Sequence, residues 1–83
     1  MLEVMIPDIY WNNEYWCIKN LKSITELEDL LKYVDGSVKN LIVNVKFAID
    51  VEKDMEIIFN KFKWIDKILV KKQNKLVGIY KRK

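Results

Sequence analysis

The chain has 83 residues, half of them hydrophobic and a third charged, with two glycines, one proline, one cysteine and no histidine. That is enough for one domain spanning residues 1–83, burying about 60% of its unfolded surface; it excludes a disordered tail, histidine-based catalysis or metal binding, a thiolate zinc cage and an internal disulfide. The net charge of +3 is unevenly spread, −4 over residues 1–35 and +7 over residues 36–83, which points to an acidic partner for the second half.

The N-terminus carries Glu3 and Asp8 and lacks the basic start and clean apolar stretch of a signal peptide. No apolar run approaches the roughly 18 residues of a membrane span. A cytoplasmic protein without membrane contact is expected, and a lone cysteine fits a reducing compartment.

Four of the seven Trp and Tyr residues fall in "IYWNNEYWCIK", Ile9 to Lys19. Asn12-Asn13 suits a two-residue hairpin turn that would pair Trp11 with Glu14, Tyr10 with Tyr15 and Ile9 with Trp16. Alternation then places Ile9, Trp11, Trp16 and Ile18 on one face and Tyr10, Tyr15 and Cys17 on the other. The larger apolar set is expected to face the helices.

"SITELEDLLKYVDG" opens with Ser23 and Glu26 at capping-box spacing, repeats Ile24, Leu27, Leu30, Leu31 and Val34 at helical spacing, and offers Gly36 as a left-handed terminator. Val38 to Phe47 alternates from Leu41 onward and predicts a strand with one polar face. Asp50 is a candidate N-cap, and Glu52 and Asp54 sit where a helix dipole favours anions. Val51, Met55, Ile58, Phe59 and Phe62 form the apolar stripe of that second helix. Lys67–Lys71 and Lys75–Lys81 flank Gln73-Asn74 as a closing hairpin. The order β-α-β-α-β-β, with an extra N-terminal hairpin strand, predicts an α+β two-layer sandwich: a mixed sheet packed against two helices.

From Tyr15 to Lys83 this order, the segment "VKNLIVNVKFAIDVEKDMEIIFNKFKW" and the basic final strand "GIYKRK" resemble the Alba family of small dimeric archaeal nucleic-acid-binding proteins. The resemblance implies binding of DNA or RNA, and a homodimer formed through the second helix and adjoining strands. Where that family has a basic "GRAIS"-like entry to its second helix, this chain has Lys46-Phe47-Ala48-Ile49-Asp50, which keeps Ala-Ile and a cap and lacks the glycine and arginine. The family's lysine pair between first strand and first helix corresponds to Lys19-Asn20-Leu21-Lys22, and its long basic arm shortens to Lys71-Lys72-Gln73-Asn74-Lys75. The element order is also similar to small sulfur carriers of the TusA type. Their Cys-Pro-x-Pro motif is replaced by Cys17-Ile18-Lys19-Asn20, so a structural thiol is expected at Cys17.

Lys19, Lys22, Lys46, Lys71, Lys72, Lys75, Lys81, Arg82 and Lys83 are the candidate nucleic-acid contacts. With one arginine among nine, contact with the phosphate backbone and low sequence specificity are expected. The alternative is a protein-interaction module, a small inhibitor or accessory subunit, anchored by Tyr10, Tyr15 and Trp64. The i, i+4 carboxylates Asp50/Asp54 and Glu52/Glu56 are explained by the helix dipole. No catalytic constellation can be assembled, and no cofactor or metal is expected.

Overall fold

The computed structural model describes residues 2–47 and 50–82. In chain order they form β1 (Ile9–Trp11), β2 (Glu14–Leu21), α1 (Ile24–Leu31), β3 (Asn40–Val45), α2 (Val51–Lys61), β4 (Lys67–Lys72) and β5 (Lys75–Lys81). The strands make one sheet in the order β1-β2-β3-β4-β5. Its three inner strands run parallel and both outer pairs are antiparallel. This is the expected α+β sandwich, including the extra N-terminal strand. Among the described residues no helix is long and apolar enough to cross a membrane.

Two tight turns make the antiparallel pairs. Asn12 and Asn13 take φ of 54° and 64°, and Gln73 and Asn74 take 50° and 65°. Two successive left-handed residues are what a turn matched to strand twist requires. The first hairpin pairs Ile9 with Trp16, Tyr10 with Tyr15 and Trp11 with Glu14, as the spacing predicted.

The parallel pairs need crossovers, which the two helices supply. Both helices pack on one face of the sheet: Leu27, Leu31, Met55, Ile58 and Phe59 share a cluster with Cys17 and Leu21 of β2, Leu41, Val43 and Val45 of β3, and Ile68 and Val70 of β4. Each such aliphatic side chain contributes about 1.5–3 kcal/mol by leaving water. In α2, the Asp50 carboxylate accepts from the Lys53 backbone N–H at 3.2 Å, as the cap reading expected.

Some of the expected details are corrected. The face assignment of the first hairpin is inverted: Cys17 faces the helices, whereas Trp16 joins Ile42 and Leu69 in a separate cluster on the opposite face. Side-chain size within one hairpin did not decide the phase; the continuous apolar rows of β3 and β4 did. For the same reason the outer face of β3 is not simply polar, since Asn40 and Ile42 on that side are both buried.

α1 ends at Leu31 rather than at Gly36, because Val34 leaves the helix to bridge Glu3. Gly36, at φ 75°, instead turns the chain beneath Trp64, where a Cβ would come within 3.0 Å of the indole. The capping box does not form, because Glu26 reaches past the N-cap Ser23 to the residue before it. The Ser23 side chain makes no cap bond, while the Glu26 carboxylate accepts from the Lys22 backbone N–H at 3.4 Å.

The segment before β1 seals the edge of β2. The Asp8 N–H donates to the Trp16 carbonyl at 2.9 Å, and its carboxylate accepts from the Ile18 N–H at 2.6 Å. Further back, the Asp35 carboxylate accepts from Ser37 Oγ at 2.8 Å, the Ser37 N–H at 3.0 Å and the Met5 N–H at 3.2 Å. The hydrogen bonds from Ser37 and then Met5 hold its carboxyl below the ordinary range.

Candidate nucleic-acid interface

Parallel strands carry their following loops to one end of the sheet. At the carboxyl end of β2, β3 and β4 the register aligns Leu21 with Val45 and Val45 with Lys72, so Lys22 and Lys46 lie just beyond the strands beside Lys71 and Lys72. Backbone bonds continue the pairing here: the Lys46 N–H donates to Leu21 O at 3.3 Å, and the Phe47 N–H donates to Lys22 O at 2.9 Å.

The β4–β5 turn is pinned by Asn44. Its side-chain carbonyl accepts from the Asn74 N–H at 3.0 Å, and its amide donates to Asn74 Oδ1 at 3.0 Å and to Asn20 Oδ1 at 3.3 Å. The Gln73 N–H adds a bond to Val45 O at 3.0 Å. This clasp fixes Lys75 next to Lys72, with which it is paired in register. Five of the nine predicted lysine and arginine positions thus meet at one end: Lys22, Lys46, Lys71, Lys72 and Lys75. A shallow groove of about 420 Å³ runs between Lys22, Glu26, Asn44 and Lys46.

Both helices start at this end, so their positive dipole ends add to the lysines. The acids of those first turns, Glu26, Asp50, Glu52 and Asp54, offset part of that field on the helix side. Among the described residues the ion pairs are Lys32 with Asp29, Lys61 with Glu28 and Lys67 with Glu14; none uses one of the five. The Lys61 contact lowers the Glu28 carboxyl pKa.

The other predicted contacts lie elsewhere. Lys19 is a half-buried mid-strand residue of β2, opposite Val43. Lys81 is level with Lys67, at the opposite end of the sheet. Because β5 runs antiparallel, the last basic residues return some six residues, about 20 Å, from the turn lysines.

Arg82 is directed into the fold, which corrects its assignment to the basic surface. Its Nε donates to Ile65 O at 2.8 Å, and its two terminal nitrogens donate to Phe59 O at 3.0 Å and Phe62 O at 2.8 Å. The guanidinium also lies 5.3 Å from the centroid of the Phe59 ring. It closes the carbonyl end of α2. Lys83, Ala48 and Ile49 lie outside the described residues.

Of the aromatic anchors, Tyr10 and Tyr15 are exposed and pack at 4.8 Å between centroids with their rings tilted by 58°. Trp64 covers Gly36 and meets Phe62 edge-on at 6.4 Å, so it is a partly buried core residue rather than a surface anchor. Cys17 is buried, and its Sγ–H donates to Ile6 O at 3.3 Å. Burial, then the charge of Asp8, pushes this thiol up, the reverse of what a sulfur relay needs.

The described residues hold no group of three His, Cys, Asp or Glu side chains able to bind a metal. A cavity of about 770 Å³ runs between α2 and β5, where the carboxylates Asp50, Glu52 and Glu56 are matched by Lys53, Lys81 and Arg82, so it carries no net charge that would select an ion. The Asn20–Asn44–Asn74 row was not singled out from sequence, although Asn20 and Asn44 fall at like phase on neighbouring strands. No family model, no curated protein and no solved structure matches the chain.

Proposed function

We propose that this protein binds nucleic acid through the phosphate backbone with low sequence specificity, using Lys22, Lys46, Lys71, Lys72 and Lys75. The observation that supports this reading is the placement of these five lysines at one end of the sheet, none of them in an ion pair among the described residues, where the amino ends of both helices also lie. Lysine is a point charge without the fork that reads guanine, so contact is electrostatic and any DNA or RNA of suitable shape is a ligand. The Alba-like order of elements agrees with this use. Of the nine residues expected from sequence, Lys19, Lys81 and Arg82 lie away from this end and Lys83 is outside the described residues, which leaves these five.

The test is fluorescence anisotropy with labelled duplex DNA and single-stranded RNA across a salt titration. Neutralising Lys71, Lys72 and Lys75 to Gln is expected to reduce the log–log salt slope by about 2–3, roughly 0.7–0.9 for each phosphate no longer neutralised. Lys81→Gln is expected to leave it unchanged. Binding that ignores salt, or that survives the triple change unaltered, refutes the proposal. A second reading, a protein-interaction module, is favoured by the exposed Tyr10–Tyr15 pair; it predicts that Tyr10→Ser with Tyr15→Ser abolishes partner binding and leaves the salt slope intact.

A further inference from the structure

The helices cover one face of the sheet, and among the described residues no helix or strand covers the other. That second face is nevertheless apolar through its middle. Ile18, Ile42, Leu69 and Ile79 form one continuous row across β2, β3, β4 and β5, flanked by Trp11 and Val77. At its centre Trp16, Ile42 and Leu69 are only 2%, 8% and 7% exposed. Ile18, Ile79, Val77 and Trp11 are left between a third and a half in water. A solvated sheet face ordinarily alternates to polar residues, and a contiguous apolar patch of this kind marks an interaction surface. The exposed members are mainly aliphatic, which suits another packed sheet and offers bases little to stack on.

We infer that this face, rather than the second helix and adjoining strands that the Alba resemblance implies, is the interface of a homodimer in which two copies pack open sheet against open sheet. Charge complementarity identifies the second copy. The sheet order is symmetric about β3, and the Glu14–Lys67 ion pair, at 2.7 and 2.8 Å, joins β2 to β4 across Asn40. A two-fold axis running along β3 therefore lays β2 of each copy over β4 of the other. Glu14 then faces the mate's Lys67, Ile18 faces its Leu69, and Ile42 meets its own counterpart. Such a self-matching patch is what an isologous interface requires.

Asn40 gives an independent indication. Its side chain is 7% exposed, its Nδ2 donates to Tyr15 O at 3.2 Å, and its Oδ1 is buried without a hydrogen-bond partner. On the two-fold, once Glu14 and Lys67 re-pair between copies, the second Nδ2 hydrogen of each Asn40 can reach the mate's Oδ1. The sheet's flat projection is roughly 20 by 20 Å, from strand spacing and rise. That is about 400 Å², below the roughly 800 Å² per partner of a standard interface and within the range of weak, transient association. A reversible dimer is therefore expected rather than an obligate one. Sheet packing about 10 Å apart would give four layers, helices outside and sheets inside. An axis parallel to the strands also leaves both lysine ends on the same side, though the dimer does not depend on nucleic-acid binding.

Sedimentation velocity on the nuclease-treated full chain in high salt, over a wide concentration range, tests this without reference to nucleic acid. The wild type is expected to shift from monomer to dimer with concentration. Ile79→Glu, and separately Ile18→Glu, should raise the dissociation constant about a hundredfold or more, the effect of an unpaired charge in an apolar interface, with an unchanged far-ultraviolet circular dichroism spectrum. Glu14→Lys and Lys67→Glu should each abolish self-association, because like charges then face one another. Mixing those two variants should restore a one-to-one heterodimer, a result that a purely intrachain ion pair cannot give. A wild type that stays monomeric, a dimer indifferent to both isoleucine changes, or a mixture that fails to associate overturns the inference.

Discussion

Leu41 and Ile42 are neighbours on β3 and look in opposite directions. Leu41 lies under both helices with no surface exposed, and Ile42 lies on the open face between Ile18 and Leu69. Both side chains are aliphatic and nearly buried, yet one is enclosed by a second layer and the other only by its neighbours in the same sheet. Burial alone therefore does not define the core of this protein. What separates the faces is whether another element supplies contacts from above, since a side chain lacking them forgoes part of its dispersion energy.

Truncation at these two positions is the sharpest way to expose that difference. Leu41→Ala is expected to lower stability by about 2–5 kcal/mol, because the helices cannot collapse fully onto the vacated space. Ile42→Ala should fall at or below the bottom of that range, near 2 kcal/mol, because water and side-chain relaxation can fill its site. Urea denaturation of dilute protein measures both, and equal losses would erase the distinction between the faces.

A similar contrast holds between the two ends of the sheet, where Arg82 and the turn lysines carry the same charge in opposite roles. Arg82→Ala is expected to cost about 2–3 kcal/mol, as hydrogen bonds from a charged donor to three carbonyls disappear. It should leave the salt slope of nucleic-acid binding as it was. Lys75→Gln should do the reverse, with stability within about 0.5 kcal/mol of wild type.

The smallest expected effect concerns the strap before β1. Asp35 has a folded pKa below its unfolded value, so its contribution is complete above the ordinary carboxylate pKa of about 3.9 and is lost as pH falls through the folded value. The stability gap between wild type and Asp35→Asn should accordingly be open at neutral pH and close in acid. Urea midpoints for both proteins at several pH values between about 7 and 2 would show it.

Much of the architecture was legible in local patterns. The Asn12-Asn13 and Gln73-Asn74 turns, the register around the first of them, the Asp50 cap and the apolar stripe of α2 each depend on residues close in sequence. Alternation says which residues of a strand share a face. It does not say which face the helices choose, and at Trp16 and Cys17 the larger side chain went to the uncovered side. The basic site was half legible for a related reason. Lys71, Lys72 and Lys75 flank one turn and had to stay together, whereas an antiparallel return had to carry Lys81 and Arg82 away from them. That Arg82 would close α2 depended on a tertiary contact with Phe59, Phe62 and Ile65 that no local spacing encodes.

Trp11 and Trp16 pack with centroids 5.4 Å apart and rings tilted by 49°, and the buried Trp16 indole donates to the Trp11 carbonyl at 3.0 Å. This pair sits on the uncovered side of the sheet, remote from the turn lysines, and the molecule therefore carries its own optical gauge. Intrinsic emission should move when a second sheet closes over those indoles and stay constant when a polyanion settles on the ammonium cluster, so one unlabelled sample can separate the two events.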